Sequence, residues 1–342
     1  MDVNKLPIIK YYRARRARMR EQERAQQALR RFSEIYIGER PVDLARFGEF
    51  RSEAFPACGP FCWLDQPNAL REIGRKRRSG EITAAEADIC ERWTIDGYFV
   101  AEGLISRERI DEVWRAYETA LAGGVIETNH ESLGEDDTLP GRNLDAHLAV
   151  PEIKELQRDE EILRIANLLF GRPALPFQTI IGYKGSSQSA HSDHIHMTTY
   201  PLGWLLACWI ALEDIHEDSG PLEFYPRSHR LAPLLLSRDV EIAPYEYKAS
   251  HGVAYHERYE PTIRDYIDRM QLRPEVFLPK AGDALFWHAN LLHGGSTRRN
   301  LTLSRKALVC HYFAEGVVTY HDLSGNPSRL HRNGWMNPPA AD

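Results

Sequence analysis

Phe177-Gln-Thr-Ile-Ile-Gly-Tyr-Lys184, then a polar stretch ending in His191-Ser192-Asp193, then Trp204-Leu-Leu-Ala-Cys-Trp-Ile-Ala-Leu212 make up the part of the chain whose pattern sets the fold. Both flanking runs are short, rich in aromatic and β-branched residues and bounded by turn residues, which is how strands read. Ala284 to His288 and Ala307 to Phe313 repeat the pattern. In an extended strand residues i and i+2 point to the same side, so His191 and Asp193 can present an imidazole and a carboxylate to one ion. About a hundred residues later His293 can supply a third ligand, if two sheets face each other as a jelly roll. Two histidines and one carboxylate on one face of a metal leave the opposite positions open, the arrangement that non-haem Fe(II) oxygenases use.

The neighbours of these residues agree. Gly185-Ser-Ser-Gln188-Ser-Ala precedes His191, Ser219-Gly220-Pro221-Leu222 leads to Pro226-Arg227-Ser228-His229, and Ala281-Gly282-Asp283 leads to His293-Gly294-Gly295-Ser296, with Ser304-Arg305 beyond. The whole resembles the phytanoyl-CoA dioxygenase family of 2-oxoglutarate-dependent oxygenases over roughly residues 92 to 315. The resemblance implies that His191, Asp193 and His293 hold Fe(II), and that Arg305 holds the distal carboxylate of 2-oxoglutarate. A guanidinium fork suits that task, because it meets a carboxylate with two parallel charge-assisted hydrogen bonds. Trp209 and Ser296 fall where the family places further contacts to the co-substrate. Two departures stand out: the usual Pro-Gly-Ser-His turn is Pro226-Arg227-Ser228-His229, and two glycines rather than one follow His293. The second shifts the spacing from His293 to the arginine, which makes Arg298 and Arg299 competitors of Arg305, while His288 competes with His293 as the third ligand.

Asp193 also bears on the outcome of the reaction. Halogenating relatives leave that coordination position to chloride, whereas a carboxylate fills it, so oxidation of a C–H bond is expected. The implied activity is hydroxylation, or another such oxidation, of a small and polar metabolite, natural-product or sugar-like, with O₂ consumed and succinate and CO₂ released. An acyl thioester substrate and a catalytically silent metal-binding jelly roll are the alternatives.

The 342-residue chain is 43% hydrophobic and 10% aromatic, enough for a sizeable core. Its net charge of −6 argues against a general nucleic-acid binder, although residues 10 to 31 carry nine Lys or Arg against two Glu. No run approaches the roughly 18 apolar residues of a membrane span, and no signal-peptide core follows Met1, so a cytoplasmic protein without membrane or nucleic-acid partners is expected. Five cysteines do not suggest a disulfide framework. Cys58 and Cys62 could form half of a zinc site, but no second pair at ligand spacing accompanies them.

The expected class is α+β, mainly β: a double-stranded β-helix, jelly-roll and cupin-like, buttressed by helices and preceded by a helical N-terminal extension. Residues 1–91 form that basic extension, with a helix over 10–37 and a basic cluster, Arg75 to Arg78, at a loop or helix end. Residues 92–320 form the oxygenase domain and 321–342 a tail. Within the domain, Asp96 to Val100 reads as a turn and strand, Ser106 caps a helix, and a second helix runs from Glu160 to Phe170 and stops at Gly171. Gly123 to Asn143 is polar and reads as a loop that lines or covers a substrate. Residues 231–276, rich in Tyr, His and Lys, read as an insertion near the mouth of the site. His196 shares the alternation of His191 and points inward on this reading, His229 belongs to a structural turn, and His216 and His311 read as core or surface residues.

Overall fold

The computed structural model describes residue 52 and residues 62–129, 137–250, 252–323, 325–327, 329–331 and 334–336. The helix expected over residues 10–37, and Cys58, lie outside them.

Five helices cover one side of the molecule. The first, α1 (Ala69–Ser79), ends with Lys76, Arg77 and Arg78 in its last turn and Gly80 in a left-handed conformation, so the basic cluster sits where its charge meets the negative end of the helix dipole. In α2 (Ala84–Asp96) Thr83 and Glu86 form a reciprocal capping box. The cap read at Ser106 holds: its hydroxyl accepts from Arg109 N at the start of α3 (Arg107–Ala122). Pro151 opens α4 (Pro151–Gln157), and α5 (Glu160–Phe170) runs from an Asp159 cap to a left-handed Gly171.

The strands are β1 (Tyr98–Ala101), β2 (Arg142–Leu144), β3 (Ala174–Gly182), β4 (Thr198–Tyr200), β5 (Leu205–Ala211), β6 (Leu222–Phe224), β7 (Glu275–Phe277), β8 (Ala284–His288), β9 (His293–Gly295), β10 (Ala307–Ala314) and β11 (Val318–His321). Six form the major sheet in the order β1-β8-β5-β10-β3-β2, all its pairings being antiparallel. Opposite it lie the small sheets β7-β6-β9 and β4-β11 with its short neighbour. Two facing antiparallel sheets with helices against one outer face make a jelly-roll core of the cupin-like kind.

Alternation along the strands of the major sheet divides two cores. Leu206, Cys208, Ile210, Phe286, Leu308, Cys310 and Tyr312 turn outward and pack with Ile110, Val113, Ile162 and Leu169 of the helices. Ala207, Trp209, Ala211, Leu285 and Trp287 turn inward and pack with Leu222, Phe224 and Phe277 of the small sheet. The inner side also carries the polar side chains that line a cavity, among them Gln178 and His311. Cys62, Cys90, Cys208 and Cys310 are buried free thiols, and Cys62 Sγ donates to the carbonyls of Leu169 and Phe170 rather than facing a metal. Among the described residues no helix is long and apolar enough to cross a membrane.

Candidate active site

The inner face of the sandwich opens into a cavity of about 1050 Å³ whose wall includes His191, Asp193 and His293. His293 begins β9, which pairs with β6, and His191 joins the sheet through a single antiparallel bridge to His293: each donates its N–H to the other's carbonyl at 3.0 Å. The regular strand expected around His191 is therefore one bridge only. Ser192 keeps an extended backbone, φ −106° and ψ 148°, and the chain turns into a 3₁₀ segment at Asp193–Ile195. One extended residue suffices to set the two side chains on the same side.

The three groups converge. Asp193 Oδ1 stands 3.5 Å from His293 Nε2 and 3.9 Å from His191 Nε2, and one ligand atom from each residue lies within 4.8 Å of the others. Donor atoms each about 2.1 Å from one ion stand roughly 3 to 4 Å apart, so the spacing fits a single metal. Both rings are oriented by the backbone: His191 Nδ1–H donates to Ser189 O at 2.9 Å and His293 Nδ1–H to Leu291 O at 3.0 Å. A carbonyl can only accept, which puts the proton on Nδ1 and leaves the Nε2 lone pair facing the carboxylate. Burial pushes both imidazoles down to about 4, so they are neutral, as metal ligation requires, at neutral pH. The donor set thus fits a first-row divalent ion with open positions.

Arg305, just ahead of β10, also lines this cavity. Gly185 makes room for it, since a Cβ there would stand 3.0 Å from the guanidinium carbon. One Arg305 nitrogen, Nη1, donates to Gly220 O at 3.0 Å, while Nε is buried and has no hydrogen-bond partner. Burial first, then the charges of Arg142 and Arg298, lowers its pKa to about 9. A buried cation with a spare donor is a site for a carboxylate, the group that 2-oxoglutarate would bring.

Residues 93–307 match the phytanoyl-CoA dioxygenase (PhyH) family. The chain belongs to this family. It is a 2-oxoglutarate-dependent non-haem iron dioxygenase, using Fe(II), 2-oxoglutarate and O₂. Ectoine dioxygenases of Bordetella bronchiseptica and Bordetella parapertussis are each 25% identical to it over 227 residues, 63% of this chain and 71% of theirs. In fold it is similar to the non-haem α-ketoglutarate-dependent carbocyclase SnoK of nogalamycin biosynthesis, with a TM-score of 0.57 and 19% identity over 76% of this chain and 98% of that one.

The competitors within the family motif separate clearly. Arg298 is buried in an ion pair with Asp137, 2.8 Å away, and Arg299 is exposed and pairs with Asp218. His288 turns to the opposite face of β8, where its Nε2 is 3.4 Å from Asp65. Trp209 is buried on the cavity wall with the Arg305 guanidinium 5.9 Å from its ring centroid. Ser296 does not line the cavity; its hydroxyl donates to Glu223. The double glycine has a steric reason: a Cβ on Gly294 would stand 2.7 Å from Gln188 O, and one on Gly295 would stand 2.9 Å from Ser187 N. The His191 segment therefore runs against bare backbone.

His196 points inward as read, and it contacts Gln188 at 3.3 Å. His229 sits in a 3₁₀ turn and bonds the Thr94 carbonyl. His311 is buried, as read, but it also lines the cavity, its Nε2 3.9 Å from Asp193 Oδ2. Its register is the missed clue, because across β8, β5, β10 and β3 the residues Trp287, Ala207, His311 and Gln178 fall in one row. His321 reaches the same cavity from β11.

Proposed function

We propose that His191, Asp193 and His293 hold the Fe(II), that Arg305 holds the distal carboxylate of 2-oxoglutarate, and that the enzyme hydroxylates or otherwise oxidises a C–H bond of a small polar metabolite. The observation that carries the reading is the meeting, in one cavity, of a convergent His₂-carboxylate set and a buried arginine with an unused donor. Trp209 packs beside that arginine and completes the co-substrate wall; no such role goes to Ser296. Bound iron with 2-oxoglutarate supplies the O₂-activating, C–H-oxidising chemistry, with succinate and CO₂ as co-products.

The chain's own part is binding, orientation and exclusion of water. The Nδ1–H bonds of His191 and His293 hold each ring in the tautomer that a metal needs, and the single charge of Asp193 balances part of the ion's. Arg305 sets one end of the co-substrate, fixing how far its other end reaches towards the triad. Opposite, the 231–276 segment contributes Tyr247, Tyr255, His256 and Glu260 to the wall, and Gln188 and His321 stand nearby. Hydrogen-bonding groups with aromatic faces, the Glu260 carboxylate among them, suit a polar metabolite better than a long apolar chain.

The test is an anaerobic titration of the metal-free protein with Fe(II) and 2-oxoglutarate, followed by a screen of polar metabolites for succinate release. Ectoine, which the relatives' name specifies, is the first compound to try. A visible charge-transfer band on adding both, absent in Asp193→Ala, is expected. Fe(II) binding without the band, or equal succinate release by the variant, overturns the reading.

A further inference from the structure

We propose that Trp287 is the positioning residue of the metal centre, one indole fixing two of the three ligands: its N–H holds Asp193 and its ring face holds His293. The inference rests on the reading of His191, Asp193 and His293 as the iron ligands. Trp287 Nε1 donates to Asp193 Oδ2 at 2.8 Å, and its ring lies 4.7 Å from the His293 imidazole at an interplanar angle of 45°. The strand delivers it there. Trp287 alternates inward on β8 between Phe286 and His288, which face outward, and its cross-strand partner on β5 is Ala207, small enough to leave the indole its space. The same strand end also holds Asp193 by its main chain, because Asp193 N–H donates to Ala289 O at 2.9 Å.

The consequence lies in how the two carboxylate oxygens are used. Oδ1 faces both imidazole nitrogens, whereas Oδ2 turns away to the indole. An indole N–H only donates and does not titrate in the working range, so it keeps Oδ2 engaged whatever the pH. That favours ligation through one oxygen and leaves a coordination position that a two-oxygen carboxylate would take. Asp193 is 3% exposed, and the other polar group near Oδ2, His311 Nε2, is 3.9 Å away, beyond hydrogen-bond reach. Without the indole, Oδ2 would be a buried acceptor free to swing towards the metal.

The experiment compares the wild type with Trp287→Phe, which keeps an aromatic face but lacks the N–H, and Trp287→His, whose Nε2 occupies the place of the indole nitrogen in a five-membered ring. Fe(II) affinity is measured by anaerobic calorimetry, the 2-oxoglutarate charge-transfer band by absorbance, and the melting temperature on metal-free protein. Loss of a hydrogen bond to a ligand costs about 10- to 100-fold in metal affinity, so a weakening of that order in Trp287→Phe, with a shifted band, is expected. Partial recovery in Trp287→His is expected too. A metal-free protein that melts lower while Fe(II) affinity stays within about threefold would make Trp287 a core residue only and overturn the proposal. If Trp287→Phe does not fold, Trp287→His against Trp287→Leu decides: tighter iron binding by the former supports it, equal binding overturns it. A wild type that binds no Fe(II) removes the ligand reading itself, and this inference with it.

Discussion

Two histidine-lined hollows lie back to back in this molecule, and they differ in what their rings can do. At the front, His191 and His293 each donate Nδ1–H to a carbonyl and turn a bare Nε2 towards Asp193. At the back, a cavity of about 490 Å³ is lined by His194, His229, His288 and Asp65. There the main chain treats the ring the other way: Asn290 N–H donates to His288 Nδ1 at 2.9 Å, which puts the proton on Nε2, aimed at Asp65. A nitrogen carrying a proton is not a metal ligand. His194 follows Asp193 and His288 follows Trp287 in sequence, so neighbouring residues of the same two segments serve opposite faces. Residue type alone does not make a metal site; the backbone atom that each ring nitrogen meets decides the tautomer and hence the use.

The largest effect expected from this contrast is all-or-none. Asp193→Ala or His191→Ala should lose Fe(II) binding and succinate release by more than the 10- to 100-fold typical of changes one shell out. His288→Ala at the back should bind iron like the wild type, while melting lower because Asp65 loses its partner. Calorimetric iron titration of the three variants settles it, and a parallel loss of iron in His288→Ala would break the contrast.

The two buried arginines sharpen it next. Arg305→Ala removes the spare donor and should raise the KM for 2-oxoglutarate by roughly 30-fold or more, the effect of truncating one side of a buried charge pair being about 2–5 kcal/mol. Arg298→Ala instead leaves Asp137 to Lys184, 3.0 Å away, and should destabilise the fold by about 1–3 kcal/mol with a smaller change in that KM. Steady-state kinetics beside thermal melts separates the two; interchanged effects would exchange their assignments.

Much of this was legible because the informative residues are short-range. His191 and Asp193 needed only i, i+2 alternation, and the apolar runs at 204–212, 284–288 and 307–313 became β5, β8 and β10 within one or two residues. Ser106 and Gly171 marked their helix ends because capping is local chemistry. What stayed hidden depends on cross-strand register. That His311 falls in a row with Trp287, and that Arg298 pairs with Asp137 some 160 residues away, follow from pairings no local pattern encodes. Ser296 was placed by the motif alone; in the fold its hydroxyl meets Glu223 and it is not on the cavity wall. The double glycine itself was visible, but its purpose, the close passage of Gln188 and Ser187, was not.

That passage offers a smaller way to sharpen the contrast. Gly294→Ala sets a methyl 2.7 Å from Gln188 O, backbone that must move. Overpacking of this kind costs about 1–3 kcal/mol. Because the displaced segment carries His191, iron affinity should fall with stability, whereas Gly80→Ala, at a helix end with open space around it, should cost only its backbone strain and leave the metal alone. Equal iron affinities in the two variants would mean that the His191 segment does not depend on the bare strand.

The smallest effect concerns acid. His229, at the back, and His147, bonded to Thr179 Oγ1, are held neutral mainly by burial, which lowers their pKa values to about 3 and about 4; His288 adds to the effect at the first, and Arg158 then Lys154 at the second. In the unfolded chain both titrate near 6.5. Between those values the unfolded state binds more protons than the folded one, so stability is full above about pH 6.5 and declines as pH falls towards 4. His147→Gln keeps a group able to bond Thr179 and removes one of these protons. Its melting temperature should therefore fall less steeply than that of the wild type between pH 6.5 and 4.5. His229→Gln should flatten the same limb from the back of the sheet while Fe(II) affinity at pH 7.5 stays unchanged, and limbs that remain parallel to the wild type would show that neither imidazole carries the acid sensitivity.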